Sequence, residues 1–321
     1  MVMQSQQLGG RDLIIKNYTD NSNNSLKSNS IPIVLLAAGK GSRARELTGR
    51  IPKSIYPISG KKSILDHTIQ QFTEIGFSNI IIVCGFKLNK VKKHLQQRHS
   101  ELFKEKIIKI VDANPQWKNG PLYSFLSSKS FLPENWDHLL LMAADTIFSS
   151  DFLRFIDNLS KRLGYNQATL RSASIWDSPL LFFTDQSSKF HSSSVSLRLK
   201  KKVQLGENTL NDEKMKLNLF KVSQIDFTNG NKQGKKKKKR FHYLIPSIIL
   251  SPDFFDFLKH KKYSQKNTVI EMLADYLKMN NDCFACKCHL KDQKQFIFHD
   301  FDSPKDYKYI KESTKGKPKK T

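Results

Sequence analysis

The sequence predicts an α/β fold with a mostly parallel central sheet flanked by helices. Short, largely apolar runs occur at 33–38, 79–84 and 138–145, as expected for strands that are buried on both faces. Segments with apolar side chains at helical spacing separate the early runs. Because strand and helix alternate, we expect right-handed crossovers and parallel strands.

The first apolar run is followed by a basic loop that contains glycine. Gly39 and Gly41 allow the backbone to turn tightly and to approach a ligand, which a Cβ would obstruct. Exposed N–H groups in such a loop, with Arg43 nearby and Lys53 further along, predict a cradle for an anion such as a polyphosphate. The loop is neither a dinucleotide fingerprint nor a Walker loop, because it lacks the third glycine and the Gly-Lys-Ser/Thr string. A purely structural strand-to-helix turn is the alternative.

The next elements continue the alternation. The spacing predicts a helix over 63–75, which Gly76 would cap at its carboxyl end. Strands are expected at 79–84 and 107–111, with a polar helix over 90–98 between them. Ligands of parallel sheets collect beyond the carboxyl ends of the strands, which is where the glycine loop lies.

Residues 114–125 form a turn-rich segment that is expected to feed a helix, with Ser124 near its first turn. Trp117 in this segment either passes over a ligand or fills a surface groove. The run 138–145 then ends in Asp145, and a carboxylate at this edge is costly unless a cation compensates it. Mg²⁺ that bridges triphosphate oxygens would do so. The alternative role is a cap on the next helix, for which Asp151 is the better candidate.

The second half of the chain is less regular. Strands are expected at 168–175, 180–183, 195–203 and 241–250 and helices at 253–260 and 267–279. The string Cys283-x-x-Cys286-x-Cys288-His289 has spacing that resembles part of a zinc site. A strand with small alternating side chains is the favoured interpretation, because no second cysteine pair accompanies it.

The segment 296–307 ends the fold with three carboxylates. Alternation puts Asp300 and Asp302 on the same face of an extended segment, so both are able to approach one cation. Asp306 is expected to cap or order the last helix.

Three strings together resemble the nucleoside-triphosphate transferase superfamily: Leu-Ala-Ala-Gly-x-Gly-Ser-Arg…Pro-Lys, Asn-Pro-x-Trp…Gly…Ser, and Asp-x-Asp-Ser-Pro-x-Asp-Tyr. The resemblance implies a single Rossmann-like, GT-A-type nucleotidyltransferase domain with a smaller acceptor-binding, β-rich part. It implies catalytic roles for Lys53 and Arg43 and metal binding by Asp145 and Asp302, with Asp300 as a candidate third ligand. It implies nucleotide contacts from Leu36, Ala37, Ala38, Gly39, Gly41, Ser42, Asn119, Gly120 and Ser124.

The activity that the resemblance implies is Mg²⁺-dependent nucleotidyl transfer. The 114–125 and 296–307 segments are most similar to those of cytidylyltransferases acting on inositol 1-phosphate, phosphocholine or similar phospho-alcohols, which favours CTP as the donor. The alternative is a hexose-1-phosphate uridylyl-, thymidylyl- or guanylyltransferase. A non-catalytic nucleic-acid-binding or regulatory protein on the same fold is the contrasting class. The acceptor's identity and the oligomeric state stay open.

Composition bounds the domain organisation. We expect a flexible extension over 1–30, one domain over 31–312 with a lysine-rich insertion over 229–240, and a basic tail over 313–321.

The net charge of +25 suits an anionic substrate, a nucleic acid or an anionic membrane surface. Lys235–Arg240 could make such a contact or be a solvated loop. No apolar run approaches the roughly 18–20 residues that cross a bilayer, so we expect a cytoplasmic protein.

Overall fold

The computed structural model describes residues 31–165, 177–184, 195–202, 218–227, 243–260, 267–288 and 298–314. Several sequence predictions lie outside these residues: the extension 1–30, the strand at 168–175, the insertion 229–240 with Lys235–Arg240, His289 and the end of the basic tail.

Strands and helices alternate along the first half of the described chain, as the sequence predicts. The strands are β1 (Ile33–Ala37), β2 (Pro57–Ser59), β3 (Lys62–Ser63), β4 (Ile80–Cys84), β5 (Ile108–Asp112), β6 (Leu139–Ala143), β7 (Thr146–Phe148), β8 (Leu180–Thr184), β9 (Val195–Lys202), β10 (Leu219–Phe227), β11 (Tyr243–Leu250), β12 (Phe284–Lys287) and β13 (Phe298–Asp300). The α-helices are α1 (Arg45–Thr48), α2 (Ile64–Ile75), α3 (Leu88–Arg98), α4 (Ser100–Lys104), α5 (Pro121–Leu126), α6 (Ser150–Tyr165), α7 (Pro252–His260), α8 (Val269–Lys278) and α9 (Pro304–Thr314).

One large sheet organises the described residues, in the order β5-β4-β1-β6-β11-β8-β12-β10-β9. The strands β5, β4, β1 and β6 are mutually parallel, and β12 is parallel to β8. The strand β11 is antiparallel to both β6 and β8, which joins the later strands to the same sheet. The predicted α/β fold with a mostly parallel sheet is confirmed. The β-rich second half extends this sheet.

Apolar side chains cover both faces of the sheet because successive residues of a strand point to opposite sides. Ile33 and Leu35 of β1 belong to the core that α2, α3 and α6 cover, while Val34 belongs to the core under α5, α7 and α8. The result is three layers with the sheet in the middle. All the parallel strands β5, β4, β1 and β6 end at one edge, and this edge carries the predicted site.

Local chemistry fixes where helices begin and end. The predicted helix at 63–75 begins with a capping box, in which the Ser63 hydroxyl accepts a hydrogen bond from the Asp66 N–H and Asp66 accepts one from the Ser63 N–H. Gly76 ends this helix at a φ of 106°, as predicted. The cap of α6 was predicted wrongly: the Ser149 hydroxyl accepts from the Phe152 N–H, and Asp151 lies in the first turn.

The cysteine segment is a strand inside the sheet. The strand β12, which contains Cys286, lies between β8 and β10, and Cys283, Cys286 and Cys288 are buried as free thiols. Burial raises the pKa of the Cys283 thiol, which disfavours the thiolate that zinc needs. This agrees with the strand interpretation. Within the described ranges, no helix combines the length and the apolar character that a bilayer crossing requires.

Candidate active site

The glycine loop leaves the carboxyl end of β1 and turns at Gly41. Gly41 has a φ of 63°, and a Cβ built there would lie 3.0 Å from Lys53 Cβ. Glycine is therefore required at this position both for the left-handed backbone and for the close contact. The Gly41 carbonyl accepts from the Ala44 N–H at 3.1 Å, which starts a short 3₁₀ helix over Ser42–Ala44.

Lys53 is the centre of the charged cluster. It opens a 3₁₀ turn, its side chain is only 8% exposed, and its Nζ lies 2.7 Å from Asp145 Oδ2 and 2.7 Å from Asp302 Oδ1. Burial by itself lowers the pKa of this ammonium, but the charges and hydrogen bonds of the two aspartates outweigh burial and raise the pKa above its ordinary value. Lys53 is therefore a permanent cation at neutral pH.

Arg43 reaches the same cluster from the solvent side. Its Nη2 lies 3.0 Å from Asp302 Oδ2, and its side chain is 72% exposed. An exposed ion pair of this kind contributes little to stability. The guanidinium is free to exchange this carboxylate for phosphate oxygens, which it can hold with a planar pair of donors.

Three carboxylates come together from two distant parts of the sequence, Asp145 from one and Asp300 and Asp302 from the other. Asp145 lies two residues after the end of β6, and its carbonyl accepts from the Phe301 N–H at 2.9 Å, which brings the segment after β13 beside it. Burial raises the pKa of Asp300 to about 7, and the charge of Asp145 adds to this effect. The buried Thr146 hydroxyl donates to Asp300 Oδ1 and partly offsets it.

Asp306 organises the same segment from the last helix. Its Oδ2 accepts from the Asp302 N–H at 3.1 Å and from the Ser303 hydroxyl at 2.8 Å. The Ser303 hydroxyl in turn accepts from the Asp306 N–H at 3.4 Å, so Ser303 and Asp306 cap α9. The predicted capping role of Asp306 is confirmed by these contacts, and it fixes the backbone that carries Asp302.

The carboxylates suit a hard divalent cation. The cluster offers carboxylate oxygens alone, and the charges of Asp145 and Asp302 add to burial in raising the pKa of Asp300, which indicates that the carboxylates repel one another. In the part of the chain that the structure describes, no preformed group of three or more His, Cys, Asp or Glu side chains is arranged to hold a metal ion. Mg²⁺ needs no such cage, because it commonly takes one or two carboxylates together with substrate phosphates and water. Asp145 and Asp302 therefore fit such an ion.

A first cleft lies on the glycine-loop side of Lys53, and we call it the loop cleft. Its cavity volume is about 240 Å³. The predicted site residues that line it are Leu36, Ala37, Ala38, Gly39, Gly41, Lys53, Gly120, Ser124 and Asp145. Ser42 and Asn119 are exposed and are not among its lining residues.

A second cleft adjoins the charged cluster, and we call it the β11 cleft. Its cavity volume is about 410 Å³, and Arg43, Asp300 and Asp302 line it. The two clefts share Leu36 and Ala143, from β1 and β6, and Pro121 at the start of α5. The charged cluster thus lies where two cavities meet, an arrangement that can bring two bound molecules together.

Trp117 forms a wall of the loop cleft. A Cβ at Gly85 would lie 2.4 Å from the Trp117 ring, so the indole lies directly on this glycine. The indole Nε1–H donates to Asn114 Oδ1 at 2.8 Å, and the Phe86 ring meets it edge-on. The sequence singled out Trp117 but could not decide between a ligand contact and a groove filler. Gly85 lies 32 residues earlier in the chain, so a local sequence pattern does not predict its contact with the indole.

Curated relatives match less than half of the chain. A UTP–glucose-1-phosphate uridylyltransferase, AglF, of Haloferax volcanii is 29% identical over 118 residues, covering 37% of this chain and 44% of that protein. A bifunctional IPC transferase and DIPP synthase of Aquifex aeolicus is 28% identical over 145 residues, covering 42% and 31%. The chain thus spans less than half the length of these relatives.

Solved structures match almost the whole chain. The inositol-1-phosphate CTP transferase from T. maritima superposes with a TM-score of 0.61 at 13% identity, covering 90% of this chain and 98% of that one. A UDP-glucose pyrophosphorylase complexed with UDP-glucose gives 0.61 at 15% identity, covering 88% and 98%. At these identities the matches establish a shared fold.

A family model decides the classification. The model described as the MobA-like NTP transferase domain matches residues 33–203, which is more than half of the chain. The matched region contains the glycine loop, Lys53 and Asp145. The predicted membership of the nucleoside-triphosphate transferases is confirmed, and the chain belongs to the family of MobA-like NTP transferase domains.

Proposed function

We propose that the protein is a Mg²⁺-dependent nucleotidylyltransferase that transfers a nucleoside monophosphate, CMP from CTP, to a phosphorylated small molecule and releases pyrophosphate. The observation that carries the proposal is the position of Lys53, with its ammonium 2.7 Å from both Asp145 and Asp302 where the two clefts meet. The family match and the nucleotidyltransferase names of the relatives support the reaction class. The domain that performs it extends over 31–312.

The reaction needs no covalent enzyme intermediate. An oxygen of the acceptor's phosphate forms a bond to the α-phosphorus of the NTP, and the bond from that phosphorus to the bridging β-phosphate oxygen breaks. Pyrophosphate leaves with the electron pair. The attacking phosphate oxygen is already deprotonated near neutral pH, so the enzyme's task is to align the two molecules and to neutralise charge.

Each charged residue has a separate part in this task. The glycine loop at Gly39 and Gly41 supplies backbone N–H groups to the triphosphate, and exposed Arg43 follows the outgoing phosphates. Lys53 contacts the α-phosphate under attack, where its buried ammonium stabilises the charge that grows in the transition state. Mg²⁺ held by Asp145 and Asp302, with Asp300 beside them, would neutralise the triphosphate and leaving pyrophosphate.

The nucleobase would lie in the loop cleft between β1 and α5. Trp117 offers an aromatic surface for the ring, and Gly120 and Ser124 offer polar groups at its edge. The similarity of residues 114–125 to cytidylyltransferases favours cytosine. The similarity to the glucose-1-phosphate uridylyltransferase of Haloferax volcanii supports the second candidate, a hexose-1-phosphate uridylyl-, thymidylyl- or guanylyltransferase.

Pyrophosphate release tests the proposal. Each common NTP is incubated with Mg²⁺ and a pool of phospho-alcohols and sugar 1-phosphates, with wild-type protein and with Asp145→Asn. We expect release with CTP and a phospho-alcohol, and its loss in the variant. Release with UTP and a hexose 1-phosphate would select the second candidate. Salt-sensitive binding of RNA or DNA that Asp145→Asn leaves unchanged, without release, would support the non-catalytic class instead.

A further inference from the structure

The β11 cleft is the cavity that the nucleotide does not need. It is the larger of the two clefts, at about 410 Å³ against about 240 Å³. It reaches the charged cluster at Arg43, Asp300 and Asp302. If the proposed transfer is correct, on which this inference rests, the acceptor's phosphate must reach the α-phosphate beside Lys53, and this cleft is the space that can receive the rest of the acceptor.

The charged groups of this cleft are confined to one end. Arg43, Asp300, Asp302 and Asp306 line it there. Because phosphate attack takes place at this end, these charges would act in the same way on any phosphorylated acceptor. They do not distinguish one acceptor from another.

The other end is built from hydrocarbon. Pro246, Val195 and Ile270 are half-buried and line it, and every other described lining residue beyond the charged end is apolar except Thr268. Thr268 is already in use, because its hydroxyl accepts from the Glu271 N–H at 3.2 Å and donates to Glu271 Oε2 at 2.9 Å. The same capping box neutralises the amino end of α8, which reduces its attraction for an anion.

The backbone of β11 at this end of the cleft also has one hydrogen-bond donor fewer than a strand normally offers. The pairing of β11 with β8 is irregular between Leu244 and Ile248, and such an interruption commonly exposes N–H groups. Pro246 lies in the interruption and has no N–H. The hydroxyl groups of a hexose would therefore lose their hydration there and find few hydrogen-bond partners among the described residues. This loss costs binding free energy.

We propose that the acceptor is a phosphate monoester of a compact, carbon-rich alcohol, whose phosphate lies beside Lys53 and whose hydrocarbon part lies against Val195, Pro246 and Ile270. This narrows the acceptors considered above, because it disfavours hexose 1-phosphates and inositol 1-phosphate alike. Burial of the hydrocarbon part supplies binding energy that does not depend on hydroxyl contacts.

Isothermal titration calorimetry tests this assignment without turnover. Isobutyl phosphate and glucose 1-phosphate are titrated into the full chain with Mg²⁺ and a non-transferable CTP analogue. We expect isobutyl phosphate to bind more tightly than glucose 1-phosphate, and its affinity to fall about tenfold in Ile270→Asn. Met279→Asn, at the exposed far end of the same helix, should bind as the wild type does.

A second variant in the same cleft keeps the test valid if Ile270→Asn misfolds. Val195→Thr keeps the shape of the side chain and adds a hydroxyl group at the opposite wall, so it should also weaken isobutyl phosphate binding. Tighter binding of glucose 1-phosphate than of isobutyl phosphate by the wild type, or unchanged isobutyl phosphate affinity in both cleft variants, would overturn the inference. The expected binding order without pyrophosphate release from any NTP would support the cleft assignment and count against the transfer reaction.

Discussion

Lys53 Nζ and Asp302 Oδ1 lie 2.7 Å apart although 249 positions separate the two residues in the chain. The contact joins the glycine-loop region to the segment before α9, and Asp145 joins the same ammonium from the end of β6. Three separate parts of the sequence thus contribute to one charge cluster. The predictions below test what this cluster and its surroundings do.

Replacement of the buried lysine should affect turnover more than folding. Lys53→Met keeps much of the length and removes the cation, so we expect kcat to fall at least about 100-fold because transition-state charge is no longer neutralised. Steady-state pyrophosphate release measures this, and circular dichroism checks folding. Lys104→Met removes an exposed lysine that pairs with Glu101 and should leave kcat unchanged. Full activity of the Lys53 variant would contradict the role assigned to it.

The conformation of the glycine loop predicts a defect in nucleotide binding. Gly41→Ala introduces a Cβ 3.0 Å from Lys53 Cβ at a φ of 63°, so it should displace Lys53 and raise the KM for the NTP about tenfold or more. Gly60→Ala is the matched control, because Gly60 has a φ of 55° and nothing within 4 Å of the added Cβ. Both variants should lose roughly 1 kcal/mol of stability. Equal KM values in the two would contradict the contact-based explanation.

Trp117 should contribute to the affinity for the base. Trp117→Ala removes the aromatic wall of the loop cleft, and we expect the KM for the NTP to rise about tenfold through lost stacking. Fluorescence titration with CTP and with free pyrophosphate separates the base from the phosphates, since only CTP affinity should change. Phe131→Ala removes an exposed aromatic side chain elsewhere and should change neither. An equal loss of pyrophosphate affinity would indicate a collapsed site.

Thr146 should influence the Mg²⁺ concentration that is needed for activity. Its hydroxyl donates to Asp300 Oδ1, and β7 pairs it directly with that residue. Thr146→Val preserves shape and removes the donor, so we expect a severalfold higher Mg²⁺ concentration for half-maximal activity. Thr146→Ser should restore the wild-type value. Calorimetric titration of Mg²⁺ provides a readout apart from activity, and identical Mg²⁺ affinity in all three proteins would exclude this role.

Asp66 should give the fold a pH-dependent stability that is independent of the active site. Burial alone would raise the pKa of this carboxyl, but hydrogen bonds from His94, His99 and Ser63 outweigh burial and hold the pKa well below its ordinary range. The carboxylate therefore stabilises the folded state above the unfolded pKa of roughly 4. This contribution is lost as pH falls through the folded-state pKa.

Urea unfolding at several pH values checks this expectation. Asp66→Asn should unfold with about 2 kcal/mol less free energy at pH 7 and should lose less stability than the wild type on acidification. Asp256→Asn changes a carboxylate that is 59% exposed. The decrease in its free energy of unfolding on acidification should parallel that of the wild type. Parallel curves for the Asp66 variant and the wild type would contradict a depressed pKa.

Much of the fold and part of the site could be predicted because the signals are local. The apolar runs at β1, β4 and β6 and the Ser63–Asp66 capping box each occupy a few consecutive residues. Gly41 and Lys53 lie in one short string, and Asp145 lies two residues after the end of β6.

The remaining features depend on contacts between distant segments. The fit of Trp117 on Gly85, the approach of Thr146 to Asp300 and the apolar end of the β11 cleft all require the folded arrangement. The cleft is formed by β9, β11 and α8 against the glycine-loop region, and no single window of sequence contains it. The roles assigned to the site residues all stay predictions, and Ser42 and Asn119 differ from the others in that neither lines a described cleft.

The most direct test of the central claim follows the phosphorus atom itself. CTP labelled at the α-phosphorus is incubated with Mg²⁺ and a phospho-alcohol acceptor, using the wild type, Lys53→Met and Asp145→Asn. We expect the label in an organic diphosphate product formed by the wild type, with unlabelled pyrophosphate released and little product from either variant. Label that remains entirely in CTP with every acceptor, or transfer from the γ-phosphorus instead, would contradict nucleotidyl transfer.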